Sequence, residues 1–231
     1  LADVRERLLE ELADYGGDDV VFNLTGGTKI MALAAYDIAQ EMGSRCLYLD
    51  SQQPFMRLQS YVFDDGRPRL DAERVLDETI TLDDYLLMYV GDVLIRNRAR
   101  DVSEVEVEAA IRAGLPAVEC KTNVNVGPHL EVDALLRYGN HIAAIEVKKS
   151  RADKHAVSQL TSATAQRLLG TFVRRVVICG EPPDVNNAQF AALSRTRVIV
   201  LPGLLTGQLA EADRRTLTDA LAEVLEMRDA R

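Results

Sequence analysis

Two apolar segments that fold back on each other are the feature that most constrains this chain. The stretch HLEVDALLRYGNHIAAIEVKKS, residues 129–150, has alternating apolar residues on both sides of Gly139-Asn140. A Gly-X pair between two such segments is typical of the two-residue turn of a β-hairpin. The turn also determines the register, so Asp133 is predicted to face Glu146 on the neighbouring strand. The sequence therefore predicts a hairpin that carries charge inside otherwise apolar strands.

The charged residues of this hairpin are predicted to share one face. Alternation places Asp133, Glu146 and Lys148 on the same side, with Glu131 opposite Lys148. The other face is predicted to be apolar and to consist of Val132, Ala134, Leu136, Ala143, Ile145 and Val147. Like charges that face each other destabilise a sheet unless a cation lies between them. Two interpretations follow: a divalent metal site, or a solvated ladder in which Glu131 pairs with Lys148 and Asp133 turns to water.

The metal interpretation assigns each charged residue a chemical role. Mg²⁺ binds one or two carboxylates together with water and phosphate oxygens, and Asp133 and Glu146 are two such carboxylates. Lys148 would then orient or deprotonate a metal-bound water and stabilise charge on a phosphate group.

The rest of the chain alternates strands and helices, which predicts an α/β protein. Residues 20–50 show a strand, a glycine turn, a helix and a second strand, and this βαβ unit predicts parallel strands. A strand at RLQSYVF and a turn at DDGRPRL follow, and a helix is predicted to begin after Thr81.

A domain boundary is predicted within residues 91–103, where the apolar period is lost, which divides the chain into domains at residues 1–90 and 91–231. The second domain is predicted to be a mixed sheet covered by helices. Its predicted elements are helix 104–114, strands 117–126, 130–138 and 141–148, helix 154–169, strands 174–179 and 197–201, and helix 209–228.

Composition excludes several classes of protein. Of the 231 residues, 47% are hydrophobic and 27% are charged, which is typical of a globular chain. No stretch approaches the roughly 18 apolar residues of a membrane span, and the N-terminus resembles a charged helix rather than a signal peptide, so a cytoplasmic protein is expected. The cysteines at 46, 120 and 179 lack the spacing of a zinc site or a disulfide framework, which predicts buried reduced thiols.

Positive charge is concentrated in one segment. Residues 137–198 contain ten Lys and Arg against four acids, in a chain whose formal net charge is −9. Ordinary surface variation and a local basic face for a polyanion are both open interpretations.

A glycine turn joins the first predicted strand to the following helix. FNLTGGTKIMALAAY places Thr25, Gly26, Gly27, Thr28 and Lys29 at this junction. Backbone N–H groups in such a turn approach a ligand closely, a helix N-terminus favours an anion, and Thr28 is placed to cap the helix. The spacing is neither that of a P-loop nor that of a dinucleotide-binding fingerprint. A ligand site and an ordinary βα turn are both open interpretations.

The segments EVDALL and AAIEVKKS resemble the active-site hairpin of the PD-(D/E)xK nuclease superfamily. The resemblance implies that Asp133, Glu146 and Lys148 are catalytic, that the cofactor is Mg²⁺ or Mn²⁺, and that the substrate is DNA, RNA or both. The metal-binding positions it implies are Asp133, Glu146, Val147 and Glu108.

Two further residues enter through the same resemblance. Members of this superfamily often carry another acid on the helix before the first strand. EVEVEAAIRAGL offers Glu104, Glu106 and Glu108, of which Glu108 borders the predicted packed face. Gln159, on the helix after the hairpin, resembles a polar residue that many members carry near the phosphate.

The phrase from Asn23 to Met31, N-x-T-G-G-T-K-x-M, resembles the ligand motif of CARF domains, the sensors of cyclic oligoadenylate in type III CRISPR immunity. CARF domains normally have several strands before this motif. A partial, Rossmann-like CARF domain is therefore expected, either because the sequence starts inside the domain or because the domain is a shortened one. The effector-binding residues that the resemblance implies are Asn23, Thr25, Gly26, Gly27, Thr28 and Lys29.

The order of the two halves resembles the CRISPR ancillary nucleases, in which a CARF domain activates a metal-dependent nuclease. TLDDYLLMYVGD, residues 81–92, also resembles the helix that these proteins place between the two parts. The resemblance implies a homodimeric endonuclease that cyclic oligoadenylate activates in antiviral defence, with cyclic tetra-adenylate as the expected effector. Two alternatives stay open: a non-catalytic CARF-type sensor or scaffold, and a constitutive repair or restriction-type nuclease.

Overall fold

A computed structural model describes residues 2–15, 20–51, 55–76, 80–91, 101–127 and 130–227 of the protein. By their contacts the residues fall into two units, Leu1–Thr79 and Ile80–Arg231. The predicted boundary segment lies mostly at residues 92–100, outside the described residues, and the division into sequence domains after residue 90 stays a prediction. None of the helices in the described ranges combines the length and the hydropathy that a membrane span requires.

The first unit is built on a four-stranded mixed sheet. Its elements are α1 (Ala2–Glu11), β1 (Val21–Asn23), α2 (Lys29–Met42), β2 (Arg45–Asp50), β3 (Met56–Asp64) and β4 (Arg67–Leu76), with sheet order β1-β2-β3-β4. β1 and β2 are parallel, which confirms the predicted βαβ unit, and the other pairs are antiparallel. Phe22, Ile38, Ala39 and Cys46 form the buried core of this unit.

Strand β4 was not predicted from the sequence, where its first residues were assigned to a turn. Nearly all of its residues are exposed, so it lacks the alternation of apolar and polar side chains that identifies a half-buried strand. Pro68 also argued against a strand, yet it is compatible with β4 because the strand pairs only with β3 and lies at the sheet edge.

The second unit is built on a five-stranded mixed sheet in the order β5-β6-β7-β8-β9. Its elements are α3 (Leu82–Val90), α4 (Val102–Gly114), β5 (Glu119–Gly127), β6 (Leu130–Tyr138), β7 (His141–Arg151), α5 (Lys154–Ala163), β8 (Arg174–Glu181), α6 (Val185–Leu193), β9 (Thr196–Val200) and α7 (Glu211–Val224). β5, β6 and β7 form an antiparallel meander, and β8 and β9 run parallel to β7. The predicted α/β class with mixed sheets is confirmed.

The two largest differences between the predicted and the observed elements of this unit concern helices. Helix α5 ends at Ala163, six residues earlier than predicted. Helix α6 was missed, because it is short and only Ala191 is buried, which leaves no apolar stripe to recognise.

Helices cover both faces of this sheet. Residues of α4 and α7 pack into the core on one face, and residues of α3, α5 and α6 pack into the core on the other. Helix α3 thus packs on the second unit. Its predicted capping box between Thr81 and Asp84 is confirmed, and the Leu82 N–H donates to Glu119 Oε2 at 2.7 Å. The three cysteines are buried free thiols, as predicted.

His141 makes the stability of the second unit dependent on pH. Burial lowers the pKa of its imidazole and the charge of Arg174 acts in the same direction, which together outweigh the hydrogen bond from Nδ1–H to the Leu225 carbonyl and the charge of Glu226. An unfolded histidine binds a proton near pH 6.5. The unfolded state therefore binds more protons as the pH falls through that value, and the free energy of unfolding decreases.

We expect urea unfolding followed by circular dichroism to give a free energy of unfolding that falls between about pH 7 and about pH 5. The fall should be smaller in His141→Gln. An equal fall in both proteins would mean that other groups cause it.

Candidate active site

The predicted hairpin register is confirmed up to the residue before the first acid. Tyr138 pairs with His141, and the last recorded pair of β6 and β7 joins Ala134 to Ile145. Asp133 and Glu146 lie one step beyond this pair in the same register. Asp133 Oδ2 accepts the Val147 N–H at 2.7 Å. The carboxylate thus binds a backbone group of β7 at the point where the ladder ends.

Strand alternation also breaks at Asp133. Ala134 and Leu136 pack into the core shared with α4 and α7, whereas Val132 packs into the opposite core. The predicted apolar face is therefore wrong at Val132. On β5, Asn123 lies between residues paired with Val132 and Ala134, and its φ of 54° is left-handed. Both strands reverse their facing at this level, which a regular pleat cannot do.

Glu146 is the most buried acid of the site. Its side chain is 3% exposed, Oε1 accepts the Lys148 ammonium at 2.7 Å, and Oε2 accepts the Gln159 amide at 3.1 Å. Gln159 also donates to the Glu131 carbonyl at 2.7 Å, which ties α5 to the hairpin. The structure buries Asp133 as well, so the alternative of a solvated ladder with Asp133 in water is wrong.

Electrostatics keep Lys148 charged in this setting. Burial alone would lower the pKa of its ammonium, but the hydrogen bond and charge of Glu146 and the charges of Asp133 and Asp153 raise it. Asp153 caps α5 through the Ala156 N–H and had not been singled out in the sequence. The site therefore contains two buried carboxylates and one ammonium. The Lys148 ammonium binds Glu146, and the Asp133 carboxylate binds the backbone of β7 at Val147, between these two residues.

The donor atoms at this site suit a hard divalent ion. Two carboxylates on neighbouring strands match the preference of Mg²⁺ for a few oxygen ligands plus water and phosphate. In the described part of the chain, no three His, Cys, Asp or Glu side chains come close enough to hold a metal together. The predicted set of Asp133, Glu146 and Glu108 is therefore not assembled as a three-carboxylate centre.

The acids of α4 are engaged in contacts of their own. Glu108 is half-buried, and its Oε1 accepts the Arg112 guanidinium at 2.8 Å one turn later. Glu106 instead contacts Arg214 of α7 at 3.1 Å. The predicted packed face of this helix, with Val107 buried, is confirmed, and Glu108 borders that face as expected.

In the glycine turn of the first unit, the polar side chains accept hydrogen bonds from backbone N–H groups of the turn and of the elements next to it. Asn23 Oδ1 accepts the Thr25 N–H at 3.0 Å, and Thr25 Oγ1 accepts the Leu49 N–H at 2.7 Å. Thr28 caps α2 through the Met31 N–H.

Two glycines and a lysine complete this turn. Gly27 has a φ of 80°, which glycine adopts without steric cost, and Gly26 faces open space. Both glycines and Lys29 are exposed, so they remain available to a ligand.

The first part of the chain matches the sequence model of a known domain. Residues 1–85 match the model of the Card1 CARF domain. This match confirms the resemblance of the first half to CARF domains. A search of the curated proteins finds no match to the chain.

Solved structures share the fold of the CARF-like unit and of the unit that follows it. Can2 from Sulfobacillus thermosulfidooxidans, solved with cyclic tetra-adenylate, has a TM-score of 0.63 at 15% identity, over 97% of this chain and 82% of that chain. Protein VC1899 from Vibrio cholerae has a TM-score of 0.64 at 13% identity, over 96% and 81%. A type III CRISPR defence DNA nuclease activated by cyclic oligoadenylate has a TM-score of 0.54 at 15% identity, over 93% of this chain and 37% of that chain. At these identities the likeness is one of fold.

Proposed function

We propose that the protein is a metal-dependent endonuclease that cleaves phosphodiester bonds in DNA, RNA or both. The observation that carries the proposal is the pair of buried carboxylates, Asp133 and Glu146, with the half-buried Lys148 beside them, where the pairing of β6 and β7 ends. Two carboxylates beside an ammonium bind a divalent cation and a phosphate at adjacent positions, which is the requirement of phosphodiester hydrolysis.

The chain's own residues divide this work. Asp133, Glu146 and the main-chain carbonyl of Val147 would hold Mg²⁺ or Mn²⁺, and such an ion supplies Lewis-acid activation of the phosphate and of a water molecule. Lys148 orients the attacking water or stabilises the charge that develops on the phosphate. Gln159 fixes the orientation of Glu146 through its 3.1 Å hydrogen bond. Glu108 would have to release Arg112 and move closer to Asp133 and Glu146 to support the ion from α4.

We further propose that cyclic oligoadenylate, with cyclic tetra-adenylate as the specific ligand, activates a homodimer of this protein in type III CRISPR defence in the cytoplasm. The match of residues 1–85 to the Card1 CARF domain supports the ligand class. The exposed Lys29 and the N–H groups of Gly26 and Gly27 would bind the phosphates, since Asn23, Thr25 and Thr28 shape the turn. Activation requires that the ligand bind one arrangement of the dimer more tightly than the other.

The test is cleavage of plasmid DNA and labelled RNA in Mn²⁺, with and without cyclic tetra-adenylate. We expect ligand-dependent cleavage, no cleavage in EDTA, and in Lys29→Ala a higher ligand concentration for half-maximal activation. Arg67→Ala removes a positive charge from an exposed residue of the same unit and serves as the control.

Three outcomes would contradict parts of this proposal. The absence of cleavage under every condition would favour a non-catalytic sensor. Equal cleavage with and without ligand would favour a constitutive nuclease. An equal increase in the ligand concentration for half-maximal activation in Lys29→Ala and Arg67→Ala would contradict a specific role for Lys29.

A further inference from the structure

Four arginines line one cleft at the end of the second unit's sheet where strands β8 and β9 begin. Arg174 and Arg175 begin β8, and Arg195 and Arg197 lie at the start of β9. Because β8 and β9 are parallel neighbours, their first residues meet at the same end of the sheet. The cleft has a volume of about 270 Å³, and Glu223, Val224 and Glu226 complete its lining. The basic segment noted in the sequence is thus gathered into one place.

Two of the four arginines have acidic partners. Arg197 contacts Glu223 at 3.0 Å, and Arg174 forms an ion pair with Glu226. Neither Arg175 nor Arg195 contacts a carboxylate of the described residues. Within residues 130–227, the cleft therefore carries two positive charges that no carboxylate compensates.

The polar contact of Arg175 is to a neutral group. Its guanidinium donates to the Thr161 hydroxyl of α5 at 3.3 Å. Partial burial lowers the pKa of Arg175, and the nearby charge of Arg195 lowers it further. Two like charges held this close are stabilised by an anion between them.

Arg195 occupies a backbone conformation that favours other residues. Its φ is 51°, in the left-handed region where glycine and asparagine are found most often. Its backbone N–H closes the turn after α6 by donating to the Ala192 carbonyl at 3.0 Å. Local conformation therefore does not account for an arginine at this position.

The cleft and the candidate active site belong to the same sheet. Arg175 pairs with Ala144 of β7, which precedes Glu146 by two residues, or roughly 7 Å along the strand. Both Gln159, which contacts Glu146, and Thr161, which contacts Arg175, lie on α5. A polymer that carries a phosphate at every unit is long enough to reach both sites.

We propose that Arg175 and Arg195 form a second phosphate-binding site, which holds the backbone of a nucleic acid away from the bond that is cut. This inference rests on the proposed nuclease function. Arginine suits this role because its planar guanidinium binds phosphate oxygens through two hydrogen bonds. The formal charge of −9 repels a polyanion overall, so a local positive site is what allows association.

The test is fluorescence anisotropy of labelled 30-nucleotide RNA, single-stranded DNA and duplex DNA in EDTA, at a series of salt concentrations. The Arg175→Gln, Arg195→Gln double variant should bind more weakly than wild type at low salt. The magnitude of the negative slope of log K against log salt should decrease by about 0.7 for each lost contact on single strands and by about 0.9 on duplex DNA. Unchanged affinity and slope would overturn the proposal.

The control is the double variant Arg69→Gln, Arg215→Gln. It has the same change in net charge, but each of these arginines has an acidic neighbour, Asp64 and Asp219 respectively. An equal loss of binding in this control would assign the effect to net charge and overturn the site. Loss of self-association in sedimentation, with binding of oligonucleotides intact, would assign the cleft to a protein contact and also overturn it.

A single substitution separates binding from folding. Arg195→Gly should raise the temperature of thermal unfolding, because glycine adopts the left-handed backbone without cost, and should weaken oligonucleotide binding. If the protein binds oligonucleotides through Arg175 and Arg195 but cleaves none of them, the phosphate-binding site is supported and the nuclease proposal is contradicted. If the double variant cleaves normally and binds oligonucleotides as tightly as wild type, only the phosphate-binding site is contradicted.

Discussion

Lys148→Ala is expected to reduce the rate of DNA or RNA cleavage by about a hundredfold to ten-thousandfold. The substitution removes the ammonium that binds Glu146 Oε1 at 2.7 Å and that would assist the water or the phosphate in the proposed reaction. The measurement is the initial rate of cleavage in Mn²⁺ with saturating cyclic tetra-adenylate. Glu146→Gln should cause a loss of similar size, because it keeps the shape of the side chain but removes the charge that would hold a metal.

Lys149→Ala is the matched control for this experiment. Lys149 is the next residue of β7 and is exposed, so its substitution changes the net charge equally without touching the site. Its cleavage rate should stay within about twofold of wild type, because surface substitutions away from a site have small effects. Full activity in Lys148→Ala, or an equal loss in both variants, would end the assignment of Lys148 to the reaction. Thermal unfolding of each variant checks that the fold is retained.

Glu119→Ala is expected to reduce the free energy of unfolding by about 3 kcal/mol. The Arg137 side chain is 5% exposed and forms an ion pair with Glu119, so the substitution removes the carboxylate that balances this buried charge, while the hydrogen bond to the Gly139 carbonyl at 2.7 Å stays. The Leu82 N–H at the start of α3 also loses its acceptor. The value lies at the lower end of the range for buried pairs because the Glu119 side chain is 35% exposed. Urea unfolding followed by circular dichroism measures it.

The pair can be tested further with a double substitution and with pH. Glu119→Leu combined with Arg137→Met removes both charges and should cost much less than Glu119→Ala, since no unpaired charge is left. Burial would raise the pKa of the Glu119 carboxyl, but Arg137 and the Leu82 N–H hold it below its usual value. The stability this pair contributes is therefore present at neutral pH and is lost as the pH falls through the folded pKa. A double variant as unstable as Glu119→Ala would show that the cost comes from packing.

The hairpin could be predicted from the sequence because its determinants are local. Gly139-Asn140 allows one register for a two-residue turn, and the observed pairs agree with it. The reversal of facing at Asp133 could not be predicted, since it lies level with a left-handed residue, Asn123, on a different strand. Alternation assumes an extended backbone throughout, and one left-handed residue on a neighbouring strand is enough to violate it.

Other features were missed because they depend on the path that the chain takes in three dimensions. Asp153 influences Lys148 only after α5 has folded back on β7, and no spacing along the chain indicates this. The arginines at 174, 175, 195 and 197 appeared in the sequence only as a basic segment. Their convergence required the parallel pairing of β8 with β9.

The glycine turn after β1 has a consequence for how this protein would respond to a small ligand. Its own side chains already accept the N–H groups of Thr25, Met31 and Leu49, so the turn is in its final shape before anything binds. A preorganised loop gives up little conformational entropy on association, so this turn would not need to rearrange in order to bind. The slow, rate-setting motion of such a receptor would then have to take place elsewhere in the molecule.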